Sequence, residues 1–267
     1  MDERNTVNGN LRFLGIIGDP VAQAKSPMLI NAALRERRIT DTLMIPLHVD
    51  SAGLADAING LKACRNFCGA VVTMPHKRNV LPLLDRVSDS ARAIGACNVF
   101  KRAPDGRLSG TMMDGEGFVA GLQTRGYGIR GKSVYLAGAG GAAAAIAFAV
   151  AAHGARRLVI FNRTAGKASA LCQQLRSLYP GVLIEQGNEF PREVDIAING
   201  TSVGMGGDTA QPFSLRYLDA STVVCDIVVF PEQTPLLANA AQAGLPVHYG
   251  KEMIMAQVPL LIDFMLS

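Results

Sequence analysis

The chain has 267 residues, 49% hydrophobic and 18% charged. That is enough apolar material for one large or two modest cores, and it excludes general disorder. The net charge is only +4, the 26 basic residues are spread along the chain, Trp is absent and aromatics are 6%, which argues against a nucleic-acid-binding surface.

From the N-terminus, the polar opening Met1–Asn10, with Asp2, Glu3 and Arg4, has no signal-peptide pattern. Leu11–Gly18 reads as an apolar strand and Gly18-Asp19-Pro20 as a turn. Ser26-Pro27 starts a helix to about Arg37, with Ser26 as N-cap and Pro27 at the first helical position. The basic cluster Arg35, Arg37 and Arg38 falls on that helix end. A strand over 43–49, a helix over 51–64 and a buried strand over 69–74 follow. After Pro75 the pattern predicts a helix to about Leu84 and another over 88–94. Two strands, 98–102 and 107–111, flank the turn Pro104-Asp105-Gly106.

A helix leads away from Asp114. The next unit starts at Lys132: strand 133–137, a glycine-rich turn, a helix to about His153, and strand 157–161. Its uncharged run, Ser133–Ala152, carries Gly138, Gly140 and Gly141, which makes it poor as a membrane span. Then come helix 165–178, strands 182–185, 194–199 and 222–227, helix 235–243 and strand 246–249. Met253–Leu266 reads as a last amphipathic helix that Pro259 must kink or shorten. Alternating strands and helices indicate an α/β protein of two domains. Their boundaries are 1–113 plus 251–267 and 114–250.

Five cysteines (Cys64, Cys68, Cys97, Cys172, Cys225) form neither a disulfide framework nor, with four scattered histidines, a metal motif. A reducing cytoplasm fits them best.

Gly138-Ala139-Gly140-Gly141-Ala142-Ala143 fits the pattern G-x-G-x-x-A between a strand and a helix. That context marks a dinucleotide turn, with the pyrophosphate on the helix N-terminus. The next strand ends in Asn162-Arg163-Thr164, without the Asp or Glu that usually holds a ribose 2′-hydroxyl. Arg163, Thr164 and Lys167 instead suit a 2′-phosphate, so NADP is expected rather than NAD. In the first domain, Lys77 follows a strand end in Val71-Val72-Thr73-Met74-Pro75-His76-Lys77. It is a candidate acid/base, with His76 as its rival. Gly95-Ala96-Cys97-Asn98 and Met112-Met113-Asp114-Gly115 fall where the two predicted domains should meet. Asp114 could also serve only as a helix cap.

Together these segments resemble the shikimate dehydrogenase family along nearly the whole chain. Gly18–Pro27 resembles its opening GNPIxHSxSP, Val71–Lys77 its NVTxPxK, Gly95–Asn98 its GAVN and Gly110–Gly115 its GxNTDG. Gly138–Ala142 and Asn162–Thr164 resemble GAGGA and NRT, Asn199–Ser202 resembles NATS, and Met253–Gln257 the closing MLxxQ. The resemblance implies a Rossmann-like NADP-binding domain with a parallel sheet, beside an α/β substrate domain. It also implies hydride transfer between NADP and a hydroxylated cyclic carboxylate, here shikimate and 3-dehydroshikimate. Carried over, Lys77 is the acid/base and Asp114 shares the reacting hydroxyl. Ser26, Thr73, Asn98 and Gln257 bind substrate, Ser26 at the carboxylate. Gly138, Ala139, Gly140, Gly141, Ala142, Asn162, Arg163, Thr164, Lys167, Thr201, Ile227 and Gly250 lie on the cofactor. No metal, nucleic acid or membrane is expected, and the protein is a monomer or homodimer.

Several positions depart from the family pattern, Gln23 among them, where His is usual. Ala24 replaces a serine, removing a carboxylate donor worth about 1.5–3 kcal/mol. Thr111-Met112-Met113 is an apolar approach to Asp114, its methionines either lining the pocket or packing in the core. Val229 stands where Tyr is usual and Glu252 where Gly is usual. Three readings follow: shikimate as substrate, another acid such as quinate or an amino-shikimate, or a non-catalytic NADP-binding protein.

Overall fold

The computed structural model describes residues 8–267. The chain divides into two compact units. One comprises the residues up to Met113 with Val258–Ser267, the other Asp114–Gln257.

The first unit holds β1 (Arg12–Gly18), α1 (Ser26–Glu36), β2 (Thr42–His48), α2 (Leu54–Ala63), β3 (Phe67–Val72), β4 (Arg86–Val87), α3 (Asp89–Ile94), β5 (Val99–Arg102) and β6 (Leu108–Thr111). The sheet order is β2-β1-β3-β5-β6-β4. β1 lies parallel between β2 and β3, whereas β5 runs antiparallel to β3 and β6. A central strand covered on both faces reads as a continuous apolar run, and residues 14–18 of β1 are all buried. Its side chains alternate between two cores. Leu14 and Ile16 join Ile30, Leu34 and the C-terminal Val258, Leu261, Ile262 and Met265. Ile17 joins Leu54, Ile58, Phe67 and Phe100.

The helix expected from Pro75 to about Leu84 is not formed. That stretch is a series of turns with a single 3₁₀ turn at Leu81–Leu83. Its backbone is committed to distant partners: Asp19 N donates to Met74 O (3.0 Å) and Cys97 N to Lys77 O (2.7 Å). α1 also starts one residue early. Lys25 occupies the N-cap position with helical dihedrals (φ −83°, ψ −14°), so the Ser26 hydroxyl makes no capping bond.

The second unit holds α4 (Asp114–Thr124), β7 (Ser133–Ala137), α5 (Gly141–Ala152), β8 (Arg157–Phe161), α6 (Ala165–Leu178), β9 (Leu183–Gln186), β10 (Ile196–Asn199), β11 (Val223–Asp226), α7 (Pro235–Gln242), β12 (Val247–His248) and the start of α8 (Gly250–Leu266). The order β12-β11-β10-β7-β8-β9 is parallel throughout. The order reverses between β10 and β7, so the loops following these two strands flank the crevice where such sheets take ligands. α5 is apolar on all sides, with every residue from Ala143 to Ala151 buried, as expected of a helix enclosed by protein. α8 continues through Pro259 for 17 residues and is divided between the units after Gln257. Pro259 removes the donor to the Met255 carbonyl. Both residues face solvent, so the freed carbonyl lies on the open side of the helix.

His248 on β12 is fully buried; among the described residues neither ring nitrogen forms a well-aligned hydrogen bond, although the Gly121 backbone faces the ring and favours its protonated form. Its ring meets Phe118 edge-on at 5.7 Å. The Glu252 carboxylate stands 3.5 Å from Nε2, too far for a good bond, and is itself held by Arg125 at 3.0 Å. Burial pushes the His248 pKa below its ordinary value of 6.5, outweighing the Glu252 carboxylate. The unfolded chain then takes the proton more readily, so stability is full above pH 6.5 and is lost as pH falls below it. Thermal unfolding between pH 7 and 5 is expected to show a falling Tm with a shallower slope in His248→Gln. An unchanged slope in that variant would move the acid sensitivity elsewhere.

Candidate active site

In the first unit, the candidate residues lie at the C-terminal ends of β1 and β3. Thr73 N donates to Ile17 O (2.9 Å), which pins the start of the Lys77 loop to β1. Lys77 is half-buried, and its carbonyl is anchored by Cys97 N. Asn98, 2% exposed, accepts from Met113 N through Oδ1 (2.7 Å). Its carbonyl accepts from Val72 N (2.7 Å). Asn98 therefore ties the end of β3 to the segment leading into Asp114.

His76 is turned into the interior rather than toward an open surface. Its ring is fully buried and Nε2 lies 2.6 Å from the Val49 carbonyl. A carbonyl only accepts, so Nε2 must carry the proton, and this side chain staples the loop. Met112 is a core residue at 5% exposure. Met113 and Ala24 are partly buried against the apolar cluster around Leu14. Ser26 is half-buried at the start of α1.

In the second unit, Asp114 opens α4 and is 5% exposed. Gln257, 8% exposed, donates from Nε2 to its Oδ1 at 3.0 Å, joining residues 143 positions apart. An anionic side chain in the first turn of a helix is favoured by the helix dipole.

The turn after β7 has the shape a dinucleotide needs. Gly138 has φ +120°, and a Cβ there would stand 2.9 Å from the Gly200 carbonyl oxygen. Only glycine fits both demands. Gly140 is the N-cap of α5, with no side chain capping the first turn. The backbone N–H groups of that turn have no intrahelical acceptors. A helix start of this kind suits a pyrophosphate, and Ala139, Gly141 and Ala142 add nothing bulky. At the end of β8, Asn162 Nδ2 donates to Thr164 O (3.0 Å). Arg163, Thr164 and Lys167 are all exposed, a donor set that fits a phosphate.

Thr201 and Ile227 are half-buried on the loops after β10 and β11, and Val229 is half-buried two residues further on. A Cβ on Gly250 would stand 2.4 Å from the Val228 carbonyl oxygen, so α8 begins flush against that loop.

Sequence reasoning quoted Asn199 only as the start of the NATS-like segment and gave neither it nor Asp226 a role, yet the two organise these loops. Both are fully buried. Asn199 Nδ2 donates to Val203 O (3.0 Å) and to Asp226 Oδ1 (3.0 Å). Its Oδ1 accepts from Thr201 N (3.0 Å) and Thr201 Oγ1 (2.6 Å). Asp226 also accepts from Val228 N (2.9 Å) and Thr234 Oγ1 (2.7 Å). Burial raises the Asp226 pKa above its ordinary value, and the three donors offset only part of that rise. The available signal was a polar residue ending each of two adjacent apolar strands.

Residues 16–100 match the family described as shikimate dehydrogenase substrate binding domain, and residues 122–205 that described as shikimate / quinate 5-dehydrogenase. The shikimate dehydrogenase (NADP(+)) of Geobacter sulfurreducens is 38% identical over 257 residues, covering 93% of this chain and 89% of that protein. Among solved structures, ligand-free 5-ketofructose reductase of a Gluconobacter species gives a TM-score of 0.89 at 33% identity, covering 97% of this chain and 94% of that one. Shikimate 5-dehydrogenase of Listeria monocytogenes, in complex with shikimate and NAD, gives 0.90 at 28% identity over 98% of this chain and 94% of that one. With its motifs in family order and relatives similar over nearly its full length, the chain belongs to the shikimate dehydrogenase family.

Proposed function

We propose that this chain catalyses the reversible, NADP-dependent interconversion of shikimate and 3-dehydroshikimate. The unit up to Met113 takes the hydroxylated cyclic carboxylate, and the unit from Asp114 takes NADP. The observation that carries a catalytic reading is Asp114, a buried carboxylate kept hydrogen-bonded to Gln257. Burying a carboxylate is costly, and a protein that only bound NADP would gain nothing from it there.

Bound NADP supplies the hydride acceptor, or in reverse the donor. The chain supplies the rest. Lys77 accepts the proton of the reacting hydroxyl at Nζ and returns it in reduction. Asp114 accepts a hydrogen bond from that hydroxyl. Asn98 and Thr73 bind ring hydroxyls with Gln257, while Ser26 meets the carboxylate. Gly138, Ala139, Gly140, Gly141 and Ala142 hold the pyrophosphate, and Asn162, Arg163, Thr164 and Lys167 the adenosine phosphate. Thr201, Ile227 and Gly250 line the nicotinamide end. The protein acts as a monomer or homodimer, and its five free cysteines favour a reducing cytoplasm.

A second reading keeps the chemistry and changes the substrate. Ala24 turns into the apolar cluster where the family pattern has a serine for the carboxylate. Quinate, an amino-shikimate or another hydroxylated cyclic acid would then replace shikimate. The likeness to a 5-ketofructose reductase extends the list to a ketose, whose reduction needs the same hydride and proton.

Absorbance of reduced nicotinamide, followed with shikimate, quinate and 5-ketofructose in turn, separates the readings. Robust shikimate turnover supports the first and sinks the second. Lys77→Ala is expected to lower kcat by about 10²–10⁴-fold while NADP still binds; full activity in that variant would end the acid/base assignment. Replacing both Arg163 and Lys167 by Ala should raise the KM for NADP by about tenfold or more with little change for NAD. Equal use of NAD and NADP by the unaltered protein would refute the 2′-phosphate reading.

A further inference from the structure

The buried Asp226–Asn199 pair bonds to the loops proposed for the cofactor, yet neither side chain is needed to touch it. Asn199 spends all of its hydrogen-bonding capacity: both amide hydrogens are donated and both carbonyl lone pairs are occupied. No other side chain offers two donors and two acceptors in that shape. Three of these bonds close its own loop, from Thr201 to Val203. The bond to Asp226 crosses to the neighbouring strand end.

Asp226 accepts only, as a carboxylate should. Besides Asn199 it takes Val228 N, which shapes the loop after β11, and Thr234 Oγ1, whose oxygen also caps α7 at Leu237 N (3.3 Å). Two backbone bonds complete the joint: Ile227 N to Asn199 O (3.1 Å) and Gly206 N to Phe230 O (3.2 Å). The loops after β10 and β11 are therefore tied at base and tip. The base also supports the dinucleotide turn. Gly200 N donates to Ala137 O (2.8 Å), and the Gly200 carbonyl lies against the Cα of Gly138. Displacing Asn199 would displace the floor under Gly138.

We infer that Asp226 and Asn199 are positioning residues that lock the loops after β10 and β11 into one ledge, holding Thr201, Ile227 and the Gly138 turn in cofactor-binding geometry. The inference rests on the proposed NADP reading. A comparison within the same sheet separates positioning from plain stability. Asp195 precedes β10 at the opposite strand end, where it accepts from Ser133 N (2.8 Å) and Lys132 Nζ (3.1 Å). Its side chain braces β10 against the start of β7 without reaching either loop.

The test measures the NADPH Kd by nucleotide fluorescence, the Tm, and steady-state kinetics for Asn199→Asp, Asp226→Ala, Asp195→Asn and Gly138→Val. Asn199→Asp removes two donors and sets one carboxylate against another. It and Asp226→Ala should weaken NADPH by about tenfold or more and lower kcat, with substrate KM little changed. Asp195→Asn should lower Tm alone. Should Asn199→Asp fail to fold, combining it with Asp226→Asn restores an amide–carboxylate pair and carries the same comparison. Folded Asn199 and Asp226 variants with unaltered Kd would overturn the inference, as would an equal loss in Asp195→Asn. If Gly138→Val also left NADPH binding intact, the cofactor reading itself would fall. If Gly138→Val abolished binding while the Asn199 and Asp226 variants did not, only the positioning role would be lost.

Discussion

At Gly138 the chain leaves β7 with a positive φ and passes directly against the backbone of Gly200. The architecture of the second unit depends on this contact. Two strand ends can bring bare backbone so close only if both strands are neighbours and neither residue carries a Cβ. β10 pairs with β7, and Gly138 N is held by Phe161 O on the other side, at 2.7 Å. The turn is therefore clamped between two parallel strands, and α5 starts from it with an uncapped first turn. The alanine-rich sequence of α5 follows from the same crowding, since a helix buried on every side next to a tight turn has room only for small residues.

The first unit solves a different problem. Its candidate residues sit on irregular backbone, which needs partners outside any helix or sheet ladder. The loop bearing Lys77 obtains them from β1, from the turn after it and from Cys97 in the segment before β5. His76 fills the space beneath and closes on Val49. A loop so heavily bonded presents its lysine from a rigid support. Ala24 and Met113, two of the departures from the family pattern, instead pack against the apolar cluster around Leu14.

Much of this was readable from the residues. The strands 133–137 and 157–161 and the helix 165–178 coincide with their expected limits, because uninterrupted apolar runs bounded by glycine and polar turns leave one local solution. The bare turn at Gly138 was readable for the same reason: three glycines between a strand and a helix have few other uses. The segment after Pro75 misled. Its composition permits a helix, but bonds to residues far along the chain outweigh a marginal local preference. Ser26 misled by one residue, since Lys25 already adopts helical dihedrals.

By itself, the sequence determined the alternation of strands and helices, the bare dinucleotide turn, the basic set at the end of β8 and the family. These depend on local periodicity and on the φ limits of single residues. Tertiary structure alone decided that β10 lies beside β7, that Gln257 reaches Asp114 across 143 positions, and that His76 is a staple. It alone decided that Asn199 meets Asp226. Each of these is a pairing between distant residues, and a hydrogen bond between groups far apart in the chain leaves no period or spacing from which it could be read.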